Sequence, residues 1–259
     1  MDLAGLPSIK ALLLDIDGVI CVGGRALPGS IDAVRRLGAL RIPLKFVTNT
    51  TRRPRRRIVE DLALLGLAAS QADVLTPSAM ARDFLTSRKL APFLVTHPDL
   101  REDFAGLEPG AAEAVVVGDA GEFFTYDLLN EAYRKLVHGA DFLALAKNRN
   151  FLDRDHELSL DAGPFAAALE FASGRTATVL GKPASAFFLR AVEDLGCAPS
   201  EAVMIGDDAE ADVGGAMAAG LKGVLVRTGK YRTGQEDLLA ARPTFVADNL
   251  EAAVEWLLG

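Results

Sequence analysis

Two aspartates stand one residue apart at the end of an apolar run near the start of the chain. The run covers residues 12–14 and continues into Asp15, Ile16, Asp17 and Gly18. Its hydrophobicity is continuous rather than alternating, which predicts a strand buried on both faces, as in a parallel sheet. Neighbouring carboxylates repel each other unless a cation, a shared proton or strong donors stabilise them. Gly18 would let the backbone turn beside a bound group, although an acidic turn alone would also fit this stretch.

Polar side chains also follow three later apolar runs. They are Thr48 and Asn49 after the run at 43–47, Lys182 after the run at 176–180, and Asp207, Asp208 and Asp212 after the run at 202–205. The carboxyl ends of parallel strands meet at one edge of a sheet, where open α/β sheets bind their ligands. The sequence therefore predicts that all four groups share one site.

Several carboxylates, a hydroxyl and one lysine suit a site for Mg²⁺ and a phosphate group. Mg²⁺ prefers oxygen ligands and commonly binds one or two carboxylates together with phosphate oxygens. Carboxylates can also accept a phosphoryl group, and its transfer needs positive charge and an in-line nucleophile. Taken singly, these residues have plainer interpretations: Lys182 as an exposed strand-end lysine, Thr48 and Asn49 as turn residues, and Asp208 as a solvated acid at a helix start.

The elements that would position these residues alternate between strands and helices, which predicts right-handed parallel crossovers and an α/β fold. Helices are predicted at 30–40, from about 54 to Gly66, and at 126–137, 165–172, 184–195, 210–219 and 250–258. Further strands are predicted at 93–95, 114–117, 142–146 and 223–226, and a polar loop is predicted between Lys147 and Gly163. We expect a doubly wound, Rossmann-like parallel-sheet core from residues 1–78 and 179–259, with a smaller α/β cap domain inserted at 79–178.

The composition is that of an ordinary folded protein with a full core. Of the 259 residues, 50% are hydrophobic and 24% are charged, and the formal net charge of −7 argues against nucleic-acid binding. Cys21 and Cys197 do not suggest a disulfide framework, and the three scattered histidines and two distant cysteines do not have the spacing of a zinc site. His97, His138 and His156 are not expected to be catalytic. The sequence has no apolar stretch of membrane-spanning length and no signal-peptide pattern, so a cytoplasmic protein without membrane partners is expected.

Taken together and in order, the motifs resemble those of the haloacid dehalogenase superfamily. They read Asp-x-Asp-Gly, Thr-Asn, Gly-Lys-Pro and Gly-Asp-Asp-x-x-x-Asp, and Thr228-Gly229-Lys230-Tyr231 also matches. The pattern is similar to the phosphatase branch in which a large α/β cap is inserted between the second and third motifs. Within that branch it is similar to the group of haloacid dehalogenase-like hydrolase domain-containing protein 2, and then to the phospholysine/phosphohistidine/pyrophosphate phosphatases.

The resemblance implies a mechanism in which Asp15 attacks phosphorus and becomes a transient aspartyl-phosphate. Asp17 would protonate the leaving oxygen and then, as a base, activate the water that hydrolyses this intermediate. Mg²⁺ would be held by Asp15, the backbone carbonyl of Asp17, and Asp207.

The remaining motif residues would support this reaction. Thr48 and the amide of Asn49 would hold phosphate oxygens, and Lys182 would neutralise charge between the nucleophile and the phosphate. Asp212 would fix a water or Lys182, with Asp208 ranked behind it. The substrate would be small and phosphorylated, or a phosphorylated side chain, and a homodimer is compatible with the resemblance.

Two points of the comparison with the family bear on activity. Many relatives carry Thr-Asn-Asn-Ser at the second motif, whereas this chain has Thr-Asn-Thr-Thr, as in the named group. Some members of the group lack the second aspartate of the first motif, but this chain keeps Asp17, which favours an active enzyme. The first alternative is a non-catalytic or regulatory protein that binds phosphate and metal. A 2-haloacid dehalogenase is a second alternative, but it would leave the additional acids unexplained. A phosphomutase is a third, and nothing in the sequence favours it.

Three further features have open interpretations. The basic run Arg52–Arg57 stands at a helix N-terminus, where cations oppose the helix dipole, so an anionic group nearby would help. The run is interpreted as a solvated basic turn, with substrate phosphate or an acidic partner as the alternative. Lys147 and Asn148 could recognise the leaving group or be ordinary cap surface, and Cys21 could lie near the pocket or simply pack as a small hydrophobe.

Overall fold

The structure is a computed structural model that describes residues 9–108, 110–152 and 157–259. The chain divides into two compact units. The first contains the chain up to Thr48, residues Val59–Leu75 and residues Lys182–Gly259, and the second contains Asn49–Ile58 and Thr76–Gly181. The predicted division into a core and a cap at 79–178 stays a prediction.

The described residues form fourteen strands. They are β1 (Ala11–Asp15), β2 (Cys21–Val22), β3 (Arg25–Ala26), β4 (Leu44–Val47), β5 (Val74–Leu75), β6 (Leu90–Val95), β7 (Ala112–Val117), β8 (Asp141–Ala144), β9 (Asn150–Leu152), β10 (Leu158–Leu160), β11 (Thr178–Val179), β12 (Ala202–Gly206), β13 (Lys222–Val226) and β14 (Phe245–Ala247).

The same residues form eight α-helices. They are α1 (Ser30–Ala39), α2 (Arg55–Leu64), α3 (Pro77–Arg88), α4 (Tyr126–Val137), α5 (Ala162–Ser173), α6 (Ser185–Asp194), α7 (Gly215–Ala218) and α8 (Leu250–Leu258). In the described part of the chain, none of them is both long and apolar enough to cross a membrane.

The first unit is built on a six-stranded parallel sheet in the order β14-β13-β12-β1-β4-β5. All five residues of β1 are buried, as its continuous hydrophobicity predicts for a strand that is covered on both faces. In the register of the sheet, Asp15 pairs with Val47 and Leu14 pairs with Ile205. The residues that follow β1, β4 and β12 therefore leave the sheet at the same edge.

The second unit contains a four-stranded parallel sheet in the order β11-β8-β7-β6. Side chains of β7 alternate between two cores: Ala114 and Val116 pack into one that includes Leu85 of α3, whereas Val115 and Val117 pack into one that includes Leu136 of α4. Both faces of this sheet are therefore buried. The α/β fold with parallel sheets that the sequence predicts is confirmed in both units.

Several predicted boundaries need correction. The segment at 147–163 is not only a polar loop, because β9 and β10 form an antiparallel pair within it. Residues 153–156 of this segment, including His156, lie outside the described residues. Helix α5 begins at Ala162 rather than 165, because the Asp161 carboxylate accepts a hydrogen bond from the Ala162 amide at 2.6 Å. Pro164 fits in the first turn, where its missing amide costs no hydrogen bond.

The helix predicted at 210–219 is two different helices. Residues Ala209–Gly214 form a π-helix, in which the Val213 amide donates to the Asp208 carbonyl, and α7 follows it. Single π-turns of this kind occur frequently at functional sites. This one places Asp212 so that its Oδ2 accepts from the Asp208 amide at 3.1 Å.

Helix α3 was not predicted, because its buried positions include small or polar residues, Ser78 and Ala81, that give no clear apolar stripe. Its start signals are nevertheless present in the sequence. Thr76 caps it by accepting from the Ala79 amide, and Pro77 occupies the first position.

Candidate active site

A buried lysine between two carboxylates forms the centre of the candidate site in the first unit. Lys182 is 3% exposed, and its Nζ lies 2.6 Å from Oδ1 of Asp15 and 2.6 Å from Oδ1 of Asp212. Burial alone would lower the pKa of Lys182, but the two carboxylates outweigh it and raise that pKa above its usual value. Lys182 is therefore a fixed positive charge and not an exposed strand-end lysine.

Asp207 completes a compact group of acids. One carboxylate oxygen from each of Asp15, Asp207 and Asp212 lies within 4.8 Å of the other two, and all three residues are buried. Burial and the neighbouring charges of Asp15 and Asp212 raise the pKa of Asp207 to about 8. Burial also raises the pKa of Asp212 to about 6, although Lys182 opposes the shift. The site has more acidic groups than its lysine can balance.

The acids have the composition of a magnesium site. All the side-chain donors in the group are hard carboxylate oxygens, which Mg²⁺ prefers. Oδ1 of Asp207 is buried and accepts no hydrogen bond from any residue that the structure describes. A buried acceptor without a donor is costly, and a bound cation would remove that cost. The residues present therefore fit a divalent cation.

The remaining predicted residues differ in how they are placed. Asp17 is exposed and stands two residues after the end of β1. Thr48 is 2% exposed and follows Val47, the register partner of Asp15, so it stands at the same sheet edge. Asn49 is the first residue of the second unit. Oδ1 of Asp208 accepts hydrogen bonds from the Glu210 and Ala211 amides, which makes it a helix cap, as its plainer interpretation states.

The segment Thr228–Lys230, which matches the family pattern but has no role assigned from the sequence, also contacts the acidic group. The Lys230 amide donates a hydrogen bond to Oδ2 of Asp207 at 2.6 Å, and the Thr228 hydroxyl donates to the Gly18 carbonyl. Only the position of these two residues in the sequence indicates the contact, because both follow β13, a buried strand of the same sheet. A backbone donor leaves no residue-type signature, so only the topology identifies it.

The basic run at 52–57 has acidic partners within the second unit. Arg52 Nε lies 3.2 Å from Asp119, Arg56 pairs with Glu102 at 2.7 Å, and the Arg55 amide at the start of α2 donates to Asp103. Carboxylates of the second unit therefore offset the positive charge at this helix N-terminus.

Lys147 and Asn148 also have partners within the second unit. Lys147 Nζ lies 2.7 Å from Glu170, and Asn148 Nδ2 donates to Asp161 at 3.1 Å. Cys21 is 6% exposed, in line with its plainer interpretation as a packed hydrophobe. These contacts give each residue a structural role, and leaving-group recognition by Lys147 or Asn148 stays a prediction.

Comparison with known proteins matches two family models to this chain. The model described as haloacid dehalogenase-like hydrolase matches residues 12–108, and the model described as HAD-hydrolase-like matches residues 179–253. The haloacid dehalogenase-like hydrolase domain-containing protein 2 of Bos taurus is 39% identical over 97% of this chain and 96% of its own length. The chain belongs to the haloacid dehalogenase-like hydrolase family.

Phosphatases occur among both the relatives and the solved structures. The phospholysine phosphohistidine inorganic pyrophosphate phosphatase of Danio rerio is 40% identical over 98% of this chain and 96% of its own length. A glycerol phosphate phosphatase from Mycobacterium tuberculosis, solved in complex with magnesium, superposes with a TM-score of 0.83 at 28% identity, covering 95% of this chain and 76% of that one. This haloacid dehalogenase-like hydrolase is therefore an enzyme of the phosphatase branch, which confirms the family and the activity class that the motifs predict.

Proposed function

We propose that this chain is a Mg²⁺-dependent phosphatase that hydrolyses a small phosphomonoester, or a phosphorylated side chain, through an aspartyl-phosphate on Asp15. The observation that carries the proposal is the buried group in which Asp15 lies against Lys182 and beside Asp207 and Asp212. A carboxylate can act as a nucleophile toward phosphorus when nearby positive charge offsets the charge of the phosphate.

In this proposal Mg²⁺ is held by Asp15, the backbone carbonyl of Asp17, and Asp207. When bound, it would offset the negative charge of the phosphate oxygens and of the carboxylates around them. Asp212 fixes Lys182 from the other side, and Asp208 supports Asp212 through its amide.

The first chemical step transfers the phosphoryl group to the protein. An oxygen of the Asp15 carboxylate forms a bond to phosphorus, and the bond from phosphorus to the leaving oxygen breaks. The carboxyl of Asp17 gives its proton to that oxygen, so the alcohol leaves neutral. Thr48, the Asn49 amide and Lys182 hold the other phosphate oxygens.

The second step releases inorganic phosphate. The Asp17 carboxylate takes a proton from a water molecule as the water oxygen bonds to phosphorus, and the bond between phosphorus and Asp15 breaks. Asp15 returns as a carboxylate and Asp17 as a carboxylic acid. The two steps together consume one water and use no other reactant.

The names of the relatives define the substrates to compare. One relative is named for phospholysine, phosphohistidine and inorganic pyrophosphate, and one structural neighbour is named for glycerol phosphate. A panel for this chain therefore covers phosphorus–nitrogen bonds, a phosphoanhydride and a small phosphomonoester. A homodimer and a cytoplasmic location stay predictions.

Hydrolysis of p-nitrophenyl phosphate tests the proposal. We expect the wild type to turn over the substrate with Mg²⁺ and to stop when a chelator is added. Excess Mg²⁺ should restore that turnover, and Asp15→Asn should show none. The Asp194→Asn variant, altered at an ion pair with Lys45 outside the acidic group, is the control and should keep its turnover. Wild-type protein that is inert to every phosphoester of the panel would favour a phosphate-binding protein, and halide release from a 2-haloacid would favour a dehalogenase.

A further inference from the structure

The turn Thr228–Lys230 closes over the carboxylate of Asp207. It follows β13, whose neighbour in the sheet, β12, leads to Asp207. The Lys230 amide donates to Oδ2 of Asp207 at 2.6 Å. The Thr228 hydroxyl donates to the carbonyl of Gly18, which follows Asp17 in the first motif. One short turn thus contacts both acid-bearing segments.

Two glycines make this close approach sterically feasible. Gly18 has φ +96° and Gly229 has φ +54°, so both adopt the left-handed conformation. A Cβ added to either residue would overlap the Asp207 carboxylate, and at Gly229 it would also overlap the Gly18 Cα. The backbone at both glycines is therefore packed directly against that carboxylate.

The consequence is that the two oxygens of Asp207 differ. Oδ2 is occupied by the Lys230 amide. Oδ1 is buried and accepts no hydrogen bond within the described residues, and Asp207 belongs to the compact acidic group with Asp15 and Asp212. A carboxylate held in this way offers a single oxygen to a cation in a fixed orientation.

We propose that the turn Thr228–Lys230 is a positioning element for the divalent cation of this enzyme. It fixes the rotation of the Asp207 carboxylate and, through Thr228, the Gly18 turn beside it. This inference rests on the proposed function, because it takes Asp207 as a cation ligand. It adds a segment that acts through the ligand rather than on the substrate.

The side chain of Lys230 is not the part that does the positioning. It is 57% exposed, and its Nζ lies 3.9 Å from Oδ2 of Asp208. The contact to Asp207 comes from the backbone amide, which any residue except proline provides.

Calorimetric titration of the full-length protein with Mg²⁺ tests the proposal with a matched pair of substitutions. Gly229→Ala and Gly234→Ala both place a Cβ at a positive φ, +54° and +87°, but only the former meets Asp207, since nothing lies within 4 Å at Gly234. We expect Gly229→Ala to weaken Mg²⁺ binding by about tenfold or more, the range typical when a residue that orients a metal ligand is changed. Gly234→Ala should bind like wild type.

A second pair keeps the test decisive if Gly229→Ala does not fold. Thr228→Val removes the donor to Gly18 while it retains the shape, and Thr228→Ser restores a hydroxyl. Weaker Mg²⁺ binding in the valine variant and recovery in the serine variant support the proposal. At saturating Mg²⁺ the valine variant should regain most of its kcat, whereas a general folding defect would lower kcat at every Mg²⁺ concentration.

The outcomes separate this inference from the proposed function. Wild-type affinity in Gly229→Ala, or in Thr228→Val, would overturn the positioning role while the cation site stands. Equal weakening by Gly229→Ala and Gly234→Ala would overturn it as well, because backbone strain alone would then explain the loss. If wild type and Asp207→Asn bind Mg²⁺ equally or not at all, the proposed cation site itself is wrong and the inference falls with it.

Discussion

Lys182 contacts two carboxylates at once, so its removal changes more than one interaction. Its Nζ lies 2.6 Å from both Asp15 and Asp212, in a position that is 3% exposed. Without the ammonium, these two buried carboxylates would repel each other. The phosphate would also lose a cation that offsets its charge.

The Lys182→Met substitution should therefore lower kcat/KM for p-nitrophenyl phosphate by about 10³-fold, as is typical when a preorganised charge is removed. Lys45→Met is the matched control, because Lys45 is also buried, at 5% exposure, and pairs with Asp194. Both variants should unfold at a lower temperature than wild type, and only Lys182→Met should lose activity. Equal loss of activity in the two variants would mean that Lys182 acts only through stability.

At the residue scale, the sequence predicted the acids and the lysine but not what orients them. Asp15, Lys182, Asp207 and Asp212 were each identified from a polar group after an apolar run, and the structure brings them together. The contact of the Lys230 amide with Asp207 could not be predicted, because every residue except proline has the same donor. Backbone contacts depend on the path of the chain and not on residue type.

At the element scale, an ion pair between Lys45 of β4 and Asp194 at the end of α6 joins a strand to a helix of the first unit. Burial alone would raise the pKa of Asp194, but hydrogen bonds from Lys45 and Arg190 outweigh it and lower that pKa. A carboxyl whose pKa is lower in the folded than in the unfolded protein stabilises the fold above its unfolded pKa of about 3.9.

The Asp194→Asn substitution should accordingly lower the free energy of unfolding at pH 7 by on the order of 1 to 3 kcal/mol, because the buried Lys45 loses its charged partner. The difference from wild type should shrink as the pH falls below about 4, because the carboxyl of the unfolded protein takes up its proton there and that of the folded protein does so only at lower pH. Urea unfolding of both proteins at several pH values measures it. A difference that stays constant down to pH 3 would contradict the role of the charge.

Element types were predicted better than element boundaries. Helices α4 and α8 have the predicted limits because threonine and asparagine caps and regular apolar spacing define them. The pair β9 and β10 was missed because each strand has only three residues and the segment that joins them is polar. The π-helix at Ala209–Gly214 could not be predicted either, since its sequence fits an α-helix equally well.

At the scale of the whole molecule, the acidic group predicts that Mg²⁺ stabilises the folded protein. A ligand that binds only the folded state adds about 2.7 kcal/mol at a concentration about 100 times its Kd. Thermal unfolding with and without Mg²⁺ should therefore show a higher transition temperature with the ion. Asp207→Asn should lose this increase, while Asp194→Asn should keep it. An increase of equal size in Asp207→Asn would place the stabilising ion elsewhere.

The α/β fold with parallel sheets could be predicted because apolar runs alternate with helical stretches along the chain. The same alternation occurs again between Thr48 and Lys182, which indicates α/β structure there as well. The identity of the substrate could not be predicted in the same way. It depends on side chains that contact the leaving group, and no residue spacing in the sequence specifies them.

The most direct test of the central claim is to identify the phosphorylated residue during turnover. Enzyme quenched in acid during hydrolysis of p-nitrophenyl phosphate is digested, and the peptide that contains Asp15 is examined by mass spectrometry. We predict one added phosphoryl group on Asp15, a larger phosphorylated fraction in Asp17→Asn because hydrolysis of the intermediate is slowed, and none in Asp15→Asn. Unmodified Asp15 in both the wild type and Asp17→Asn, with Asp15→Asn still active, would contradict the account and indicate direct attack of water on the substrate.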